Sequence, residues 1–320
     1  MRPPAASAAA RARAASARRD PDAPRVHPSA LIAHDTRIAP DVAIGRGALV
    51  GVGTHLSAGT EVGDDAVVGT GVEVGPFCVI GAGATVSDGA TVEHGAVLMP
   101  GVRIGPGTTV GSRTVVDTGA ILGAGCALGA DGYIGANVRI GIDVRVGSRS
   151  VVGEGDGRRR QTEEGEARRT TTLGDRVRLG EGARVGSGAA IGNGTVIDDG
   201  CSIEGGAQVG WQARVAAKVR IGPQAAVGDR TRLEAECVVR GTVGRNCRLG
   251  RQVNVESGQD VVDGTTARAG EELAPRRAEA TLTGPSAPQA SQRIPNRAET
   301  VAGRLRAALH AVRAWTRGHE

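Results

Sequence analysis

The sequence predicts an all-β molecule whose short strands are wound into a stacked, coiled ladder, and three observations carry that prediction. An aliphatic residue returns every six positions through most of the 320-residue chain. Fifty-one glycines punctuate the same interval. Only four aromatic residues occur, Phe77, Tyr133, Trp211 and Trp315, so the interior has to be filled by Val, Ile, Leu and Ala in a narrow space.

In chain order, residues 1–25 hold six Arg against Asp20 and Asp22, a net charge of +4, in an Ala-rich setting with no apolar pattern. A disordered basic tail is expected there. The segment lacks the continuous apolar stretch of a secretory signal, and no apolar run in the chain approaches the roughly 18 residues of a membrane span. The cytoplasm is the expected compartment.

From Val26 the repeat runs to Val152 through twenty-two aliphatic residues without a miss, resumes at Leu173, and holds through eleven more to Val239. A slip of two residues then leads into Val243, Leu249, Val255 and Val261. A period of six excludes a helix, whose apolar stripe recurs at three and four, and excludes a long strand alternating in twos. Each hexapeptide reads as one flat side of a coil; no coil buries its own face, so stability grows by stacking. Gly often follows the aliphatic, as at Gly45, Gly51 and Gly63, which marks a corner where a side chain would clash or φ is unusual. The fourth position after the aliphatic is small, as at Ala48, Thr54 and Ala66. Cys78, Cys126, Cys201, Cys237 and Cys247 all occupy it. They are expected as compact buried hydrophobes in a reducing compartment, because an odd count with no Cys-x-x-Cys pair supports neither a disulfide framework nor a zinc site.

The β-structure is expected over 26–265, interrupted by a polar, charged loop at 154–172 that contains Arg158, Arg159 and Arg160. Residues 266–297, with Pro275, Pro285, Pro288 and Pro295, read as a linker. Val301, Leu305, Ala308, Leu309 and Val312 then recur at helical spacing, so an amphipathic helix is expected over 298–317, with Arg306, Arg313 and Arg317 on one flank. That helix suits packing against the body or a neighbouring subunit, or contact with an anionic membrane surface. Basic residues interleaved with aromatics are absent, which argues against a nucleic-acid partner.

These residues resemble the hexapeptide-repeat proteins, whose fold is a left-handed parallel β-helix with three hexapeptides per coil. Within that class Val74–Gly81 and His27–Ala33 are similar to UDP-3-O-acylglucosamine N-acyltransferase and its sister O-acyltransferase of lipid A biosynthesis, and Leu122–Tyr133 followed by Leu173–Ile203 is similar in order to the N-acyltransferase. The resemblance implies a homotrimer, no permanently bound cofactor, and acyl-coenzyme A or an acyl carrier protein as co-substrate. It implies transfer of an acetyl or other acyl group to an amine or hydroxyl of a sugar or other small acceptor. The loop arginines Arg158, Arg159 and Arg160 then become contacts for the donor's phosphates.

The chain departs from that family where chemistry is expected. A His serves there as general base, two positions after a repeat aliphatic, whereas the aligned place here reads Ile203, Glu204, Gly205. The nucleotide-binding domain that precedes the prism in the N-acyltransferase has no counterpart before Val26. Two other His residues follow the same spacing, His34 after Ile32 and His94 after Val92. His94, with Glu93 beside it, is the candidate base. His27, His34, His55 and His94 occupy different places in the repeat, so no metal-ligand set is evident. The rival reading is a noncatalytic scaffold.

Overall fold

The computed structural model describes residues 23–154 and 170–273. They belong to one compact unit, Met1–Arg276, and the second, Arg277–Glu320, lies outside the described residues. The expected helix over 298–317, most of the basic tail, the linker beyond 273 and Arg158, Arg159 and Arg160 likewise lie outside them.

Thirty-nine strands, nearly all two residues long, follow one another from Arg25–Val26 to Thr266–Ala267. Each pairs in parallel with the third strand before and the third after it, giving three 13-stranded sheets. Three strands make one coil, coil 1 starting at Arg25, so the described residues form a parallel solenoid of thirteen coils with three faces. The first face begins with Arg25–Val26, the second with Leu31–Ile32, the third with Arg37–Ile38. The solenoid reaches Ala267, two residues beyond the expected boundary.

The second residue of each strand is the repeat aliphatic and points inward. Leu56, Ile80, Val92 and Leu98 are fully buried. The fourth position is equally buried, as Ala48, Cys78 and Ala96 show. Two inward residues per hexapeptide leave no room for rings, which explains the missing aromatics.

Corners divide the glycines into two kinds. The glycine directly after the aliphatic meets the coil beyond it: a Cβ on Gly105 would lie 2.5 Å from the carbonyl carbon of Gly123. Unusual φ belongs to the third position, where full-length described corners from Asp35 onward adopt φ between 54° and 76°. Gly107 is one such residue, and the same conformation is held by Asp35, Phe77 and Arg113.

Buried hydroxyls tie the coils together. Thr108 Oγ1 donates to the Gly123 carbonyl at 2.8 Å and accepts the N–H of Cys126 at 3.2 Å. Thr114 does the same between Gly129 and Gly132. Among the described residues, no buried side-chain nitrogen or oxygen lacks a hydrogen-bond partner.

The phase slip after Val239 is absorbed in one corner, where Arg240 and Gly241 alone connect strands Val238–Val239 and Thr242–Val243. A Cβ at Gly241 would collide with the carbonyl oxygens of Glu256 and Gln259, so the short corner requires glycine. Pairing continues undisturbed on both sides. In the last coil Gln259 fills an inward position and donates from Nε2 to the Leu273 carbonyl at 2.5 Å.

Candidate functional site

His94 lies at the corner between the third and first faces in coil 4, exposed to solvent. The coil before it supplies Phe77, which is held at φ 58° and is 61% exposed. Its ring stands edge-on to His94, 5.8 Å between centroids and 88° between planes. Phe77 also lies over Gly59, where a Cβ would come within 2.5 Å of the ring. The coil after His94 supplies Ser112, whose N–H and hydroxyl both donate to Glu93 Oε2, at 3.0 and 2.8 Å. The carboxylate beside His94 in sequence is thus committed to Ser112 and not to the imidazole.

A groove of about 430 Å³ runs from this corner across the third face, lined by His55, Ser57, Glu73, Glu93, His94 and Ser112. His55 and Glu73 are in-register partners on neighbouring strands, with Arg37 in register on the other side of His55. The groove therefore gathers two imidazoles, two carboxylates and, with Thr91, three hydroxyls on an otherwise small-residue surface. Such a set can take a proton from an incoming nucleophile and hydrogen-bond a polar acceptor.

Sequence reasoning singled out His94 and missed His55, Glu73 and Ser112. The signal was present: His55 and Glu73 are eighteen residues apart, one coil, and Ser112 follows His94 by the same interval. His34 lies in coil 1, its Nδ1 2.9 Å from Asp35 Oδ2 with both groups open to solvent. His27 is engaged with Ser29 Oγ at 2.9 Å. Among the described residues, no group of three or more His, Cys, Asp or Glu is placed to hold a metal ion. Glu204 and Gly205, at the expected position of the family His, form an exposed turn in coil 10.

The interrupting loop leaves from a different corner. The strand before it is Val151–Glu154 on the first face and the strand after it is Thr172–Leu173 on the second, in coil 8. Ten strand positions separate His94 from that point, about 16 Å along the stack at ~4.8 Å per coil. Within one chain the described structure does not bring His94 to the base of the loop.

A second groove, of about 470 Å³, lies on the second face in coils 9–13. Ala190, Gln208, Ala226 and Thr242 form its floor and Asp229 and Arg245 its edge, 3.5 Å apart as an ion pair. It contains no imidazole or thiol; its carboxylates are Asp229, paired with Arg245, and Asp263, which accepts the Arg245 N–H. The five cysteines are free and buried, and none lines either groove. Among the described residues no helix is long and apolar enough to cross a membrane.

A family model described as the hexapeptide repeat of succinyl-transferase matches residues 41–76 and 101–136. The match covers 72 of the 320 residues and, with the thirteen-coil solenoid, shows that these stretches carry hexapeptide repeats. Solved structures similar to it include the UDP-N-acetylglucosamine O-acyltransferase LpxA of Moraxella catarrhalis, at 15% identity and a TM-score of 0.35, covering 64% of this chain and 67% of that one. PerB of Caulobacter crescentus, solved with CoA and GDP-perosamine, is similar at 22% identity and a TM-score of 0.25, covering 36% and 52%. The acetyltransferase domain of PglB from Neisseria gonorrhoeae, in complex with acetyl coenzyme A, is similar at 18% identity and a TM-score of 0.25, covering 37% and 50%. The matches thus span from half to two thirds of those chains' lengths. No curated protein sequence matches the chain.

Proposed function

We propose that this chain is an acyltransferase of the hexapeptide-repeat type, moving an acetyl or other acyl group from a coenzyme A or carrier-protein thioester to an amine or hydroxyl of a sugar or other small acceptor. The observation that carries this reading is the groove at His94, where an exposed imidazole set against Phe77 borders a polar recess. His94 removes the proton of the acceptor as its nitrogen or oxygen attacks the thioester carbonyl. The new C–N or C–O bond forms, the C–S bond breaks, and the proton passes to the departing thiolate. His55, Glu73 and Ser112 hydrogen-bond the acceptor.

The donor's phosphates are assigned to Arg158, Arg159 and Arg160. The groove and the base of the loop lie at different corners and about 16 Å apart within one chain, so this reading needs a second subunit to close the site, in the homotrimer the family resemblance implies. Val79, Val97, Val115, Tyr133 and Val151 support such an assembly, because they form an in-register, part-exposed apolar column on the outside of the first face. Sedimentation of the purified chain tests it. A cytoplasmic site of action belongs to the same reading and is supported by the five free thiols.

Calorimetric titration with coenzyme A, acetyl-coenzyme A and a phosphopantetheinylated carrier protein is the first test. Saturable binding at one site per chain supports the transferase and opens an acceptor screen. His94→Ala is then expected to lower turnover by about 10²–10⁴-fold with the fold retained, since His94 is exposed. Unchanged turnover would remove His94 from the mechanism. Replacing Arg158, Arg159 and Arg160 together by Ala is expected to weaken donor affinity and spare the fold. Gly205, standing where the family His is expected, favours the second reading, a noncatalytic scaffold. Absence of binding by every donor selects it.

A further inference from the structure

The outward residues of the third face change character halfway along the solenoid. Coils 1 to 6 present Arg37, His55, Glu73, Thr91, Thr109 and Ala127 in register. Coils 7 to 12 present Arg145, Arg178, Val196, Arg214, Arg232 and Arg248. Five exposed guanidiniums therefore stand in one column, about 24 Å from first to last at ~4.8 Å per coil. The second face over coils 8 to 12 presents Thr172, Ala190, Gln208, Ala226 and Thr242, with no charge.

Like charges opposite one another on paired strands are unfavourable, and these side chains contribute nothing to the interior. None of the five takes part in an ion pair among the described residues, although Arg113, Arg149, Arg240, Arg245 and Arg251 do. The column is an unneutralised line of charge. Acids flank it without entering it. On one edge Asp175, Asp229 and Asp263 accept the N–H groups of Ile142, Trp211 and Arg245. On the other stand Asp198, Glu234 and Glu236, the last paired with Arg251 at 3.7 Å.

That cross-section discriminates among anions. A flat lipid surface would meet the flanking acids together with the arginines. A thread one side chain wide meets the arginines alone. Single-stranded nucleic acid needs rings for base stacking, and among the described residues the one ring beside the column, Trp211, already carries Arg230 4.2 Å above its centre.

We propose that the column binds a linear acidic polysaccharide bearing carboxylates on its sugar rings, lying parallel to the solenoid axis. Each sugar ring advances such a chain by about the rise of one coil, so the carboxylates that turn towards the column recur at whole multiples of that rise, where guanidiniums take them two hydrogen bonds at a time. Polyphosphate packs its charges more closely and falls out of step. The site lies in coils 7 to 12, apart from the groove at His94, and does not depend on the chain being a transferase.

The test is binding of fluorescent polygalacturonate to the full chain at about 50 and 200 mM salt, with polyphosphate, a single-stranded oligonucleotide, anionic phospholipid vesicles and neutral dextran as competitors. Saturable binding that weakens with salt, displaced by unlabelled polygalacturonate more readily than by any other competitor, is expected. Arg214→Glu with Arg232→Glu is expected to weaken it by about tenfold or more. Arg184→Glu with Arg220→Glu, the same change of net charge on the first face, is expected to have less than about a third of that effect. Should the first pair disturb folding by circular dichroism, Arg214→Gln with Arg232→Gln replaces it. Absence of binding, equal weakening by both pairs, or equal or better competition by polyphosphate, oligonucleotide or vesicles overturns the proposal.

Discussion

Cys126 and Thr108 occupy the same place in successive coils and do the same work. Thr108 donates to the Gly123 carbonyl at 2.8 Å, and Cys126 Sγ donates to the Gly141 carbonyl at 3.0 Å. Ser150 repeats the contact to Gly180 at 2.9 Å. The thiols, expected from the sequence as plain hydrophobes, are weak donors that match a carbonyl of the next coil. Cys126→Ser is therefore expected to unfold within about 0.5 kcal/mol of the parent, and Cys126→Ala to lose about 1 kcal/mol, measured by urea denaturation. Burial pushes the Cys201 thiol up from 9.0 to about 11. The unfolded chain then loses this proton first, so stability is flat below about pH 9 and falls as pH rises from 9.0 towards about 11. Denaturation midpoints across that range check the sign; a midpoint that rises would contradict it. Phe77 is the other informative residue, an exposed ring kept in the left-handed region against His94. Phe77→Gly is expected to raise stability by about 1 kcal/mol, because the left-handed penalty disappears, while lowering turnover if the ring positions the base.

At the scale of the strand and its corner, the two glycine positions answer to different physics. Gly105 is required by contact with Gly123, whereas Gly107 has φ +63° and nothing within 4 Å of a Cβ. Gly105→Ala is expected to cost about 1–3 kcal/mol through overpacking. Gly107→Asn is expected to cost less than about 1 kcal/mol, since Asn enters the left-handed region readily. Thermal unfolding of the two variants separates the explanations, and equal losses would show that the corners share one constraint. The sequence pattern exposed glycine at the first position but left the third hidden, because Asp, Asn, Arg, Gln and Phe also occupy it. The corner conformation is enforced by coil stacking and not by residue type.

For the whole molecule, stability is a sum over neighbouring coils. Removing residues 101–118, one full coil, joins Pro100 to Gly119, the residue equivalent to Gly101 in the next coil. The shortened chain is expected to fold with a small loss in melting temperature and with the groove at His94 diminished through the loss of Ser112. Circular dichroism checks this; failure to fold would mean that the coils are not interchangeable. The distribution of function over the solenoid follows from the same geometry. Titratable groups concentrate on the third face and its corner in coils 2 to 4, apolar residues on the first face in coils 4 to 8, and arginines on the third face in coils 7 to 12.

Burial acts on one residue at a time and leaves a pattern along the chain, which is why the inward columns, the first corner position and the place of every cysteine were legible in the amino-acid order. Contacts on the outside obey a different rule. They join residues eighteen apart, and a period of six is silent on how many sides close a coil. His55 against Glu73, Ser112 against Glu93, the apolar column through Tyr133 and the arginine column through Arg214 came into being only when three faces were stacked in register. Winding, and not chain order, chose the neighbours from which the candidate sites are built.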